Sequence, residues 1–285
     1  MKTFALLAAA ALLLSGCAES PAPADDTIRI VASTNVYGDL AHTVGGDLVS
    51  VTSLIANPTQ DPHSFEASAQ DQLALAQADI LINNGGGYDP FIDRLLVASD
   101  SNASVIDVAR LVDLPEGANE HLWYNFEAMD EFAGKLAVLL AERDPVNADT
   151  FDANYRQFSD NLAALSARVE RIGGGRGVAV TEPVPLYLLE AAGFVNRTPA
   201  AFTEAIEEGG DVPPTALLET LALFDDASVV LLAYNSQTAS PETERVRSAA
   251  EAAGIPVVNF TETLPEGQTY LSWMTANVEA IEAAS

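Results

Sequence analysis

Residues 148–172 constrain the fold more than any other segment. Phe151, Tyr155, Phe158, Leu162, Leu165, Val169 and Ile172 recur at steps of three and four, which is one sustained helix face. Asp144-Pro145 breaks the pattern before it and Gly173-Gly174-Gly175 ends it. At about 1.5 Å per residue such a helix spans on the order of 37 Å, the width of a small domain. On either side the rhythm changes. Short apolar, β-branched runs at 28–32, 49–54, 80–83 and 105–108 alternate with helical patterns at 35–46, 68–78 and 90–98. After the long helix, strands at 178–181, 229–234 and 256–260 alternate with helices at 186–192, 214–223, 242–253 and 271–283. Alternation at this pace predicts βαβ units and mostly parallel sheets. The fold class expected is α/β: two α/β lobes joined by one long rigid linking helix, with the ligand cleft between them. Residues 27–146 form the N-terminal lobe, 147–173 the linking helix and 174–285 the C-terminal lobe.

The chain begins with a signal-like segment, 1–16. Lys2 is its positive region and residues 4–14 are an apolar run too short to span a bilayer as a helix. It ends in Leu14-Ser15-Gly16-Cys17, which resembles the bacterial lipobox, in which the cysteine is acylated. Cys17 is the only cysteine, so disulfides and thiolate metal sites are excluded. Residues 17–26, rich in Pro, Ala and Ser, read as a lipidated tether, placing the protein outside the cytoplasm and anchored to the membrane. With 41 acidic residues against 13 basic ones, the surface is unsuited to nucleic acid, whose binding rests on Lys and Arg at phosphates. The charge speaks for solubility and not for a particular ligand.

Only three histidines are present, so their settings matter. His63 stands in Asp61-Pro62-His63-Ser64-Phe65-Glu66, a turn stiffened by proline that gives the ring a fixed direction, with carboxylates close by. His121 stands in a loop, Asn119-Glu120-His121-Leu122-Trp123-Tyr124, ahead of the long helices. His42 falls mid-helix and reads as a solvated helix residue. Glu182 directly follows the strand at 178–181, where open α/β sheets place their ligands. Imidazole with carboxylate and no thiolate suits zinc, iron or manganese.

With these motifs in place, the chain from residue 27 to 283 resembles the cluster A-I solute-binding proteins, the metal-binding lipoproteins of zinc and manganese ABC transporters. Asp61, Pro62, His63, Phe65 and Glu66 match the first signature of that family. His121 and Trp123 match its His-x-Trp, and Tyr270 with Met274 its closing motif. The resemblance implies metal ligands at His63, His121 and Glu182, and a stiff receptor with limited hinge motion. A further acidic ligand expected shortly before the closing aromatic is replaced by Gln268, leaving an amide oxygen, Glu266 or a water to complete the shell. The function implied is an extracytoplasmic receptor, monomeric and tethered through Cys17, that carries Zn(II), with Mn(II) close behind, to an ABC permease in the membrane. The metal is cargo and no catalytic cofactor is implied. An adhesion or interaction lipoprotein and a receptor for a chelated metal or another small ligand are the alternatives. An enzyme is disfavoured, because Ser64 beside His63 lacks an orienting group and the glycine runs lack phosphate-loop spacing.

Overall fold

The computed structural model describes residues 27–57, 65–225 and 228–285. The signal segment, Cys17, the tether, and Asp61 to Ser64 with His63 among them lie outside the described residues. The first lobe runs β1 (Ile28–Thr34), α1 (Asn35–Gly45), β2 (Val49–Ile55), α2 (Ala69–Ala76), β3 (Ile80–Asn83), α3 (Phe91–Ser99), β4 (Ser104–Asp107), α4 (Val108–Leu111) and α5 (Phe126–Arg143). The linking helix α6 (Ala148–Val169) follows. The second lobe runs β5 (Gly177–Val180), α7 (Leu186–Ala191), β6 (Val195–Asn196), α8 (Ala200–Glu207), α9 (Pro214–Ala222), β7 (Leu232–Asn235), α10 (Pro241–Ala252), β8 (Val257–Phe260) and α11 (Tyr270–Ala284).

Both sheets are parallel and four-stranded, ordered β2-β1-β3-β4 and β6-β5-β7-β8. The continuous burial of β3, β5 and β7 explains why these strands carry unbroken apolar runs: helices cover both faces. Strand order reverses between β1 and β3 in the first sheet and between β5 and β7 in the second. Ligands of open sheets bind outside the strand C-termini at these reversals. The loops after β3, β5 and β7 are therefore the ones to inspect.

Helix α6 ends three residues before the expected 172; Glu170 to Ile172 form a turn, and Gly174 and Gly175 take positive φ (98° and 79°). The face read from its periodicity is the buried one: Phe151, Phe158, Leu162, Leu165 and Val169 pack into the main core with α1 and α5. That core is shared by both lobes, since it also contains Val178, Val180, Trp273 and Met274. Three elements were not foreseen, the short helix α4, the two-residue strand β6 and the helix α8. Among the described residues, no helix is long and apolar enough to cross a membrane.

Direct hydrogen bonds join the lobes. The Asn35 amide donates to Leu264 O and accepts from Leu264 N, both at 2.9 Å. Tyr270 N donates to Asp39 Oδ2 at 2.7 Å, and Tyr124 Oη donates to Thr261 O at 2.9 Å.

Candidate metal centre

The loop after β3 is shaped by three consecutive glycines. Gly85, Gly86 and Gly87 all have positive φ (71°, 66° and 104°), a run that side-chain-bearing residues do not sustain. The run turns the chain so that the buried Asp89 carboxylate accepts from Asn84 N (2.7 Å) and Gly85 N (2.8 Å). Burial pushes the Asp89 carboxyl above the usual carboxylate range, against the pull of these donors. The same turn buries Tyr88, whose hydroxyl donates across the lobes to Glu262 Oε2 at 3.1 Å.

His121 packs in an aromatic corner, its ring 5.2 Å from Trp123 and 5.9 Å from Tyr88, centroid to centroid. Only 1% of it is exposed. Its Nδ1 lies 2.7 Å from Asn119 Oδ1, while Asn119 Nδ2 donates to Pro183 O at 3.0 Å. An amide oxygen only accepts, so Nδ1 carries the proton, and in the neutral imidazole Nε2 is left with its lone pair. Holding the distal nitrogen through an oxygen acceptor is how ligating histidines are fixed in tautomer and direction. Asn119 also ties the two lobes at this point, because its own carbonyl accepts from Tyr187 Oη at 2.6 Å. The sequence reading missed Asn119; its place two residues before a loop histidine was the available signal.

Glu182 lies where the strand-end argument puts it, two residues beyond β5 and 3% exposed. Its carboxylate accepts from Asn235 Nδ2 and from Thr238 Oγ1. Asn235 ends β7, the strand across the reversal, and the same Nδ2 donates to Glu262 Oε1 at 2.9 Å. Glu262 is 1% exposed and stands two residues beyond β8, just as Glu182 stands two residues beyond β5. That repeated offset was legible in the sequence and was missed. Glu262 is thus the carboxylate joined to Glu182 through Asn235. Gln268 sits in the turn before α11, where its backbone N donates to Pro265 O and its side-chain oxygen is buried without a hydrogen-bond partner among the described residues. Glu266 is exposed. No described contact carries either residue to His121 or Glu182. Of the first motif, Phe65 and Glu66 are described: the Phe65 ring packs on Phe91, 4.8 Å centroid to centroid, and Glu66 is exposed.

From the second lobe, Glu207 at the end of α8 brings its Oε1 within 3.8 Å of His121 Nε2. Donor atoms of Glu120, His121 and Glu207 all lie within 4.8 Å of one another. Burial pushes the Glu207 carboxyl up to about 8, and Glu120, Glu182, Glu262 and Glu208 add repulsion in the same direction. The consequence for stability has a definite sign. An unfolded Glu titrates near 4.5, so between that value and about 8 the folded metal-free protein holds a proton that the unfolded chain has lost. This contribution is complete below the window and is lost as pH rises through it. Thermal melts of metal-free protein should therefore fall from about pH 5 to about pH 8, with a shallower fall in Glu207→Gln. Parallel profiles for the two proteins would assign the slope to other groups.

Two parallel-sheet lobes, one long linking helix, and an imidazole facing carboxylates between the sheet ends are the features of a metal-binding receptor. The chain belongs to the zinc-uptake complex component A periplasmic family, whose model matches residues 30–284. It is 29% identical to the manganese-binding lipoprotein MntA of Halalkalibacterium halodurans, in a match spanning 65% of each chain. It is 24% identical to the manganese ABC transporter substrate-binding lipoprotein PsaA of Streptococcus pneumoniae serotype 4, over 98% of this chain and 96% of that one. The periplasmic zinc binding protein TroA from Treponema pallidum shares the fold, with a TM-score of 0.75 at 18% identity, covering 90% of this chain and 99% of that one.

Proposed function

We propose that the chain is an extracytoplasmic receptor, tethered by lipid at Cys17, that captures a divalent transition metal and hands it to an ABC permease. The ligands in this reading are His63, His121, Glu182 and Glu262, the last taking the place first given to Gln268. The observation that carries it is the lone-pair-bearing Nε2 of a buried His121, fixed by Asn119 and facing carboxylates. Two neutral imidazoles and two carboxylates would balance a dication, which a neutral amide in the fourth place would not. The added carboxylate also raises the standing of Mn(II) against Zn(II), since oxygen donors favour the harder ion. The receptor acts as a monomer in this proposal, with the permease as its protein partner.

Elemental analysis of the purified protein and competitive titration with Zn(II) and Mn(II) test the reading. One equivalent of tightly held metal is expected, and the ion that wins the competition is the cargo. No stoichiometric metal with either ion would overturn the proposal and favour a chelate receptor or an interaction lipoprotein.

A further inference from the structure

We propose that a cavity at the ends of β3 and β4, outside the metal centre, binds a guanidinium group, carried by a small molecule or by an arginine side chain of a partner. The cavity measures about 550 Å3, within the range of small-ligand sites. It lies between the glycine loop 85–87, the first turn of α3, and α4. Asn83, the last residue of β3, lines it and has no part in the metal site. Asn83 is 6% exposed, and its Oδ1 has no hydrogen-bond partner among the described residues. Buried acceptors are normally satisfied, so a donor is missing here. Parallel pairing sets Asn83 beside Asp107, and the two side chains share one face of the sheet. The Asp107 carboxylate lies against the loop at Gly85, where an added Cβ would clash with its Oδ1.

Asp93 in the first turn of α3 and Asp113 after α4 add further carboxylates to the lining. Among the described residues the lining has one cation, Arg110. Its Nε stands 3.4 Å from Asp107 Oδ2, but its side chain is 85% exposed, so water screens the pair and the arginine is free to swing away. An unmet buried acceptor beside an excess of carboxylate requires a cation that carries N–H donors. A bare metal ion does not suit the cavity. Among the described residues, only Glu120, His121 and Glu207 bring three such ligand atoms within 4.8 Å of one another; the aspartates here stand wider apart. A guanidinium spreads its charge over a plane with five N–H groups, so one ligand meets an amide oxygen and separate carboxylates together. Its fork also matches a carboxylate through two parallel hydrogen bonds.

Calorimetric titration of the purified protein with three monovalent cations tests the site. Butylguanidine carries the group on a small molecule, arginine capped as its N-acetyl methylamide presents it as a polypeptide does, and tetramethylammonium has the charge without a donor. Saturable binding of a guanidinium probe, at least tenfold tighter than of tetramethylammonium, is expected. Asn83→Leu should lose tenfold or more of that affinity, with folding checked by circular dichroism. The double variant Asp93→Asn, Asp113→Asn alters two exposed positions and should also weaken binding; it decides the matter if Asn83→Leu does not fold. Asp113 has φ of 50°, a state asparagine tolerates. Capped arginine binding as tightly as butylguanidine would indicate a partner's side chain, and a tenfold deficit of the capped form a small molecule. No binding of either guanidinium probe would overturn the site. Equal binding of tetramethylammonium, or unchanged affinity in the double variant, would also overturn it and assign the attraction to the acidic surface as a whole.

Discussion

His121→Ala should lower metal affinity at least tenfold, equivalent to about 1.4 kcal/mol or more. The substitution removes the Nε2 donor and leaves Glu120 and Glu207 without the imidazole they face. Asn119→Ala provides the graded comparison. It leaves the imidazole in place but releases its Nδ1 and removes the hydrogen bond donated to Pro183 O, so tautomer and aim are both lost. Losses of roughly 10–100-fold are typical when the acceptor behind a ligating histidine is removed. Competitive titration of the two variants separates donation by the ring from its orientation. Full affinity in His121→Ala would remove this residue from the site.

Trp123→Ala should destabilise the protein by about 3–5 kcal/mol, the usual range for deleting a large buried aromatic side chain. The indole is fully buried, 4.7 Å from Tyr88, 5.2 Å from His121 and 6.3 Å from Tyr124, centroid to centroid. Its backbone carbonyl accepts from Tyr270 Oη at 2.8 Å, so the corner also anchors the start of α11. Trp123→Phe should cost much less. The indole N–H is buried without an acceptor among the described residues, and an unmet buried donor costs on the order of 1–3 kcal/mol that phenylalanine would relieve. Denaturant unfolding of both variants measures the difference. A loss below about 1 kcal/mol in Trp123→Ala would show that the corner collapses around the gap.

What the sequence made legible follows from length and period. The strand at 80–83 and the starts of α1 and α6 needed no correction, because unbroken apolar runs and a sustained 3.6-residue face are strong signals. Helix α8 offered two turns between Pro199 and Gly209-Gly210, with Phe202 and Ile206 as its main apolar residues. A pattern so short cannot be told from a loop by period alone, and Glu207 was hidden with it. Glu262 was passed over for a different reason. The end of β8 was read correctly at residue 260, yet a motif near Tyr270 drew attention past the carboxylate that the strand end itself presents. Strand ends carry geometry; spacing to a distant aromatic does not. Asn119 and Asn235 were out of reach for a third reason. Neutral amides earn their role only through the partners folding brings to them, Pro183 and Tyr187 for one, Glu182 and Glu262 for the other.

The last helix carries a consequence for how the chain is made. Helix α11 closes the second lobe, yet it packs on α6 and α1 and its first turn is bonded to Asp39 and Trp123. The layer of the first lobe that holds α1 is therefore incomplete until α11 docks on it. A chain emerging from its amino end cannot finish its first half on its own.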